Sequence, residues 1–217
     1  MLEAARQHSR KPAVIPIREH HGMDGLDWTA SAMRAARAQL DIATHNLANA
    51  STDGYRKSAA AVALTARGLT VRSRATHEQG AVRTTGRAFD LALLGEGAFR
   101  VGDTTTRSGA FTRDSAGWLV DDRGRRLHGA RGALCVSERA TIDADGNVRD
   151  GGRIVGRIPL PRGTHLLSGA LETSTVNPIG ETLAILEAQR AFETAQKTML
   201  AIDATRDKAA NDVVRVR

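Results

Sequence analysis

Apolar side chains recur every seven residues at both ends of this 217-residue chain. Near the N-terminus the series is Leu26, Met33, Leu40 and Leu47, with Ala36, Ala43 and Ala50 as a second line. Near the C-terminus it is Ile185, Phe192, Met199 and Val213, with Ala188, Ala195, Ile202, Ala209 and Val216 beside it and Arg206 as the polar member. Such spacing lays an apolar stripe along a helix, and the stripe has to be buried against another helix. The pattern predicts an α+β chain in which long N- and C-terminal helices form a coiled-coil-like assembly domain. The use this suggests is assembly rather than catalysis.

Composition narrows the remaining classes. Aromatic residues make up 3% of the chain, so its middle has few large side chains for a deep core. The formal net charge of +7, carried by 27 Arg and 4 Lys, would suit an acidic partner or nucleic acid. Against a basic nucleic-acid-binding protein stand seven aromatics in all, none interleaved with a basic cluster. The lone cysteine, Cys135, permits no internal disulfide, and its neighbours Leu134 and Val136 suggest a strand position rather than a reactive thiol. No apolar run approaches the roughly 18 residues that cross a bilayer. Residues 1–22 have no apolar core of a secretory signal and no periodicity, and are expected to be a disordered extension.

Between the helices the text changes to short strands and turns, expected to form a small, mostly antiparallel β domain over 59–170. Strands are predicted at 89–94, 98–101, 109–112, 117–120, 125–128, 141–143, 147–149 and 154–160, with extended structure also favoured over 59–85. The turns Asp114-Ser115-Ala116-Gly117, Asp121-Asp122-Arg123-Gly124 and Ala144-Asp145-Gly146 separate them. Pro178 punctuates the start of the C-terminal helix. The terminal assembly domain is accordingly drawn over 23–58 and 171–217.

Three blocks resemble a known family. The N-terminal helix runs into His45-Asn46-Leu47-Ala48-Asn49-Ala50-Ser51-Thr52-Asp53-Gly54-Tyr55-Arg56-Lys57. The middle holds Gly86-Arg87-Ala88-Phe89-Asp90-Leu91-Ala92-Leu93-Leu94-Gly95-Glu96-Gly97-Ala98-Phe99, then Thr106-Arg107-Ser108-Gly109-Ala110-Phe111-Thr112-Arg113-Asp114. The C-terminal part has Leu171-Glu172-Thr173-Ser174-Thr175-Val176-Asn177 and then Glu187-Ala188-Gln189-Arg190-Ala191-Phe192-Glu193. In this order they resemble the axial proteins of the bacterial flagellum, its rod and hook subunits, and the central segment favours a proximal- or distal-rod type. Ala98 departs from the family's aromatic pair after Gly-x-Gly, and 129–169 is short for a larger rod subunit.

The resemblance implies a structural subunit of the basal-body rod, polymerising through its terminal helices into the torque-transmitting tube. A hook or hook-adaptor subunit is the alternative, since both share the terminal signatures. The implied partners are copies of the chain, other rod and hook subunits and the flagellar export apparatus, with neither nucleic acid nor direct membrane insertion. The implied location is the periplasm-spanning rod, reached by export without a cleavable signal peptide. Expected subunit-interface residues are Leu26, Met33, Leu40, Leu47, Asn46, Asn49, Ile185, Gln189, Arg190, Phe192, Met199 and Ile202. For Asn46 and Asn49, helix capping is the competing role, and for Gln189 and Arg190 a solvated helix face. Small Ala at the second positions would let helices approach closely, while a subunit awaiting partners would have poorly stabilised termini.

No catalytic, metal or cofactor site is expected. Asp143-Ala144-Asp145-Gly146-Asn147 departs from a calcium loop, with Gly at the fourth position and Ile154 where the bidentate Glu belongs. Gly95-Glu96-Gly97 lacks the third glycine of a dinucleotide loop.

Overall fold

The computed structural model describes residues 23–215. The expected extension over 1–22 lies outside the described residues, as do the side chains of Val213 and Val216. Helix α1 (Gly25–Ala48) is followed by strands β1 (Ser58–Thr65), β2 (Gly68–Ala75), β3 (Val82–Thr84), β4 (Leu91–Leu94) and β5 (Phe99–Val101). Then come β6 (Thr104–Thr106), β7 (Thr112–Arg113), β8 (Leu119–Val120), β9 (Leu127–Gly129) and β10 (Gly132–Ala133). The last are β11 (Thr141–Ile142), β12 (Asn147–Asp150), β13 (Arg153–Arg157), β14 (His165–Ser168) and β15 (Ala170–Glu172), before helix α2 (Pro178–Arg215). Strands β6, β10, β14 and β15 lie outside the segments expected to be extended.

Both helices start on side-chain caps. Asp24 Oδ1 accepts the N–H groups of Leu26 at 2.8 Å and Asp27 at 2.9 Å, and Asp27 returns the bond to the Asp24 N–H at 3.4 Å. The Asp27 N–H and, after it, the Arg206 guanidinium hold the Asp24 carboxyl below its ordinary value. Asn177 Oδ1 accepts from Ile179 at 3.1 Å and Gly180 at 3.3 Å, with Pro178 in the first helical position. The helices lie antiparallel: Asn46 meets Glu181 at one end, and Asp24 meets Arg206 at the other. At 1.5 Å per residue α2 therefore runs on for about 14 Å past the cap of α1.

The coiled-coil-like domain is not what these helices form. In a heptad seam the large residues are the buried knobs, yet Leu26, Met33, Leu40, Leu47, Ile185, Phe192, Met199 and Ile202 are only half-buried. The buried line is made of small side chains: Thr29, Ala36 and Ala43 on α1, with Ala188 and Ala195 on α2. Small residues bring the axes close and leave the bulky ones beside the seam. A second layer then covers α1. The β1–β2 hairpin folds back along it, and buried Ser31 accepts the Leu69 N–H at 3.3 Å. A Cβ on Gly68 would stand 2.4 Å from Ser31 Oγ, so the hairpin tip sits directly on the helix. The architecture is one helix at each terminus flanking a β-rich middle, which fits an α+β class in part. Each terminus also has a partner within its own chain, unlike the expectation of termini left unsupported.

The middle is antiparallel throughout its named strand pairs, including a four-stranded sheet ordered β10-β9-β5-β6 and a three-stranded sheet β11-β12-β13. Leu91, Leu93, Phe99, Val101, Phe111, Leu119, Leu127 and Val148 fill its core. Phe99 meets Phe111 edge-on at 5.2 Å between ring centres. With so few aromatics, turn geometry carries much of the specification. One device recurs three times: Asp114, Asp121 and Asp143 each accept the backbone N–H groups two and four residues on, with glycine in the left-handed region at the third.

Burial pushes the carboxyls of Asp121 and Asp143 up, but bonds from Arg125, Asn147 and the turn amides outweigh it and leave both below the ordinary value. A depressed folded-state pKa stabilises above the unfolded value and is lost as pH falls through the folded one. Asp121→Asn should therefore lose less stability than the native chain as the pH drops below about 4, read by urea midpoints across that range. Gly109 gives a second check, because a Cβ there would stand 1.6 Å from the Leu91 carbonyl oxygen. Gly109→Ala should cost about 2 kcal/mol through forced backbone displacement, measured in the same urea titrations.

Candidate assembly interface

The three sequence blocks meet at one buried ion pair. Arg107 and Glu172 are both buried, with Arg107 Nε 2.8 Å from Glu172 Oε2. The other guanidinium hydrogens go to the carbonyls of Leu93 at 3.0 Å, Gly95 at 2.8 Å and Gly97 at 3.1 Å, with Nη2 also on Glu172. All five donors are thus satisfied. Glu172 Oε1 accepts the Gly80 N–H at 3.1 Å, and its backbone carbonyl accepts the Gly54 N–H at 2.7 Å. Gly54 is bound to be glycine: its φ is +70°, and a Cβ would lie 2.3 Å from Ser108 N. The loop after α1, the Gly-x-Gly turn and β15 are thereby tied to one guanidinium.

A second knot joins the two helices. Asn46 is buried and its amide makes four bonds. Its Nδ2 donates to the Ser58 carbonyl at 2.8 Å and to Glu181 Oε2 at 3.1 Å, while its Oδ1 accepts from Ser58 N at 2.9 Å and the Tyr55 hydroxyl at 3.0 Å. The side chain imitates a peptide unit and turns the chain from α1 into β1. Lys57 Nζ lies 3.5 Å from Glu181 Oε1. Burial pushes the Tyr55 hydroxyl above its ordinary pKa, and the charge of Glu181 adds to this against an opposing bond from Ser58. Asn49 closes the helix instead, donating to the His45 carbonyl at 2.8 Å.

The stripe residues sit apart from these knots. Met33, Phe192 and Met199 line an open groove of about 540 Å³ between the helices, rimmed by Arg34, Arg37 and Asp41. Leu26, Leu40, Leu47, Ile185 and Ile202 are half-buried along the same pair, and Gln189 and Arg190 are exposed. Arg206, the polar member of the stripe, pairs with Asp24 at 3.1 Å on the surface. Ile179, Leu183 and Leu200 on α2 are 74%, 56% and 62% exposed. Among the described residues no three His, Cys, Asp or Glu side chains converge as metal ligands, and no helix is long and apolar enough to cross a membrane.

Residues 26–56 match the family described as flagella basal body rod protein, and residues 167–212 match flagellar basal body rod FlgEFG protein C-terminal. The flagellar basal-body rod protein FlgF of Caulobacter vibrioides is 31% identical over 212 residues, covering 75% of this chain and 86% of that protein. FlgF of Mesorhizobium japonicum and FlgG of Bacillus subtilis are each 27% identical, covering 86% of this chain and 96% of their own lengths. The chain belongs to the flagellar basal-body rod family. It is a structural rod subunit of the basal body, a place where it assembles with other rod and hook subunits.

The matched segments cover nearly all of both helices, and Asn46, Gly54 and Glu172 within them serve the rod subunit's own junctions. In the sequence Arg107 and Glu172 stand out only as members of the blocks that carry the resemblance, and Glu181 does not stand out at all. A buried charge pair separated by 65 residues leaves no local periodicity to find. Glu172→Gln should cost about 3 kcal/mol by leaving Arg107 buried without a counter-charge. Thermal melting would check this, and the double replacement Arg107→Met with Glu172→Leu should recover most of the loss.

Proposed function

We propose that this rod subunit joins its neighbours through the outer surface of the helix pair. Leu26, Met33, Leu40, Leu47, Ile185, Phe192, Met199 and Ile202 supply the apolar contacts. Gln189 and Arg190 supply polar ones, while Asn46 and Asn49 hold the helix end in shape behind them. The observation that carries the reading is the large apolar surface left on α2, with Ile179 74% exposed. Burying such surface on polymerisation contributes roughly 25 cal/mol per Å², and an open helical array needs unlike patches on the two copies. The terminal parts, 23–58 and 171–217, act as the assembly unit and 59–170 as the central β unit.

The subunit works without catalysis, since the nearest candidate acids, Asp143 and Asp145, belong to a turn. It reaches the rod through the flagellar export apparatus. Phe192→Asp places a charge in the groove beside Met33 and Met199. It should remove the subunit from isolated basal bodies and abolish swimming, while shifting monomer stability by only about 1 kcal/mol because the site is half-exposed. Normal swimming and normal incorporation of this variant would refute the interface.

A further inference from the structure

Trp28 is one of two tryptophans in a chain poor in aromatics, and 41% of its surface is open to solvent. It lines an open groove of about 570 Å³ on the hairpin side of the helix pair. Thr29 and Ala32 of α1, Leu69 of β2, and Ala191 and Ala195 of α2 make up most of the remaining wall. The groove is separate from the one that holds Met33, Phe192 and Met199. A large ring in an apolar hollow gains from being covered. The described chain begins at the mouth of this groove. Asp24 caps α1 one turn before Trp28, and Met23 Cε lies 2.8 Å from where a Cβ on Gly68 would stand, next to Leu69.

We infer that the groove receives the apolar run Ala13-Val14-Ile15-Pro16-Ile17 of the same chain, with Ile15 and Ile17 as the anchors against Trp28. The run is the longest apolar stretch in residues 1–22. Ile15 precedes Met23 by eight residues, a tether of at most about 28 Å. Trp28 lies only about 8 Å along α1 from Met23, well within that reach. Pro12 and Pro16 bias the backbone towards extended forms and lower the entropy lost on docking. Proline-bearing apolar segments seat in aromatic-lined grooves for this reason. A tethered segment also acts at an effective concentration of about the millimolar range, above that of a second copy in dilute solution. The contact covers apolar surface of the free subunit and does not depend on the rod reading.

The test uses the full purified chain carrying Trp118→Phe, so that Trp28 alone emits, and follows its quenching by acrylamide. Ile15→Asp combined with Ile17→Asp should raise the quenching and move the emission to longer wavelength, because a charge in place of each anchor expels the run. Leu2→Asp, outside the run, should change neither. With the segment unaltered, quenching should be the same at low and high protein concentration. Equal quenching with and without the double replacement overturns the inference. So does an equal rise with Leu2→Asp, or protection that grows with protein concentration, which would make a second copy the occupant. Each of these failures leaves the rod reading standing, because none bears on incorporation into basal bodies.

Discussion

A single guanidinium, buried among carbonyl oxygens and one carboxylate, decides how the parts of this subunit are joined. Arg107 spends its five hydrogens on the turn after β4 and on Glu172, and Glu172 in turn fixes Gly80 and Gly54. Such a pair adds little net stability when compared with an apolar replacement, because two charges must leave water. Its value lies in direction. A planar fork accepts one arrangement of partners, so the helical ends and the β-rich middle meet at a defined angle. An apolar contact of the same size would tolerate sliding.

The same preference for defined geometry over bulk appears in the rest of the fold. The β core contains two buried phenylalanines in contact, with Phe89 packed against it, and is otherwise aliphatic. Much of its order comes from aspartate-glycine turns, in which a side-chain oxygen replaces water on two amides at once. The helix pair is closed by alanines rather than leucines. Small contacting groups gain less from burial, but they bring the axes close and keep the larger groups on the outside.

Much of this was legible in the sequence. Helix positions, the turns at Asp114 and Asp121 and most strands of the middle followed from periodicity and turn chemistry, which are local properties. The seven-residue spacing was also real, but its meaning was misjudged. Both the bulky set and the alanine set repeat at that interval, and periodicity does not say which set faces the neighbour. The alanine set is the buried one, and Ser31 on the same helix seats the β1–β2 hairpin, a long-range contact that no short-range pattern encodes. Asn46 was singled out from its motif, yet its four bonds reach residues 9, 12 and 135 positions away. Strand β14 was missed because it pairs with β4, more than seventy residues earlier.

Helix α2 outreaches α1 at the end where Asp24 meets Arg206. Past that point the pair tapers to α2 alone, while over the length of α1 the two helices run side by side and the β1–β2 hairpin lies along α1. The overhanging turns of α2 have no facing helix within the subunit, so their apolar side chains are free for a neighbour. The two ends of the helix pair are therefore unlike, and copies that met end to end through them could do so in one sense only, head to tail.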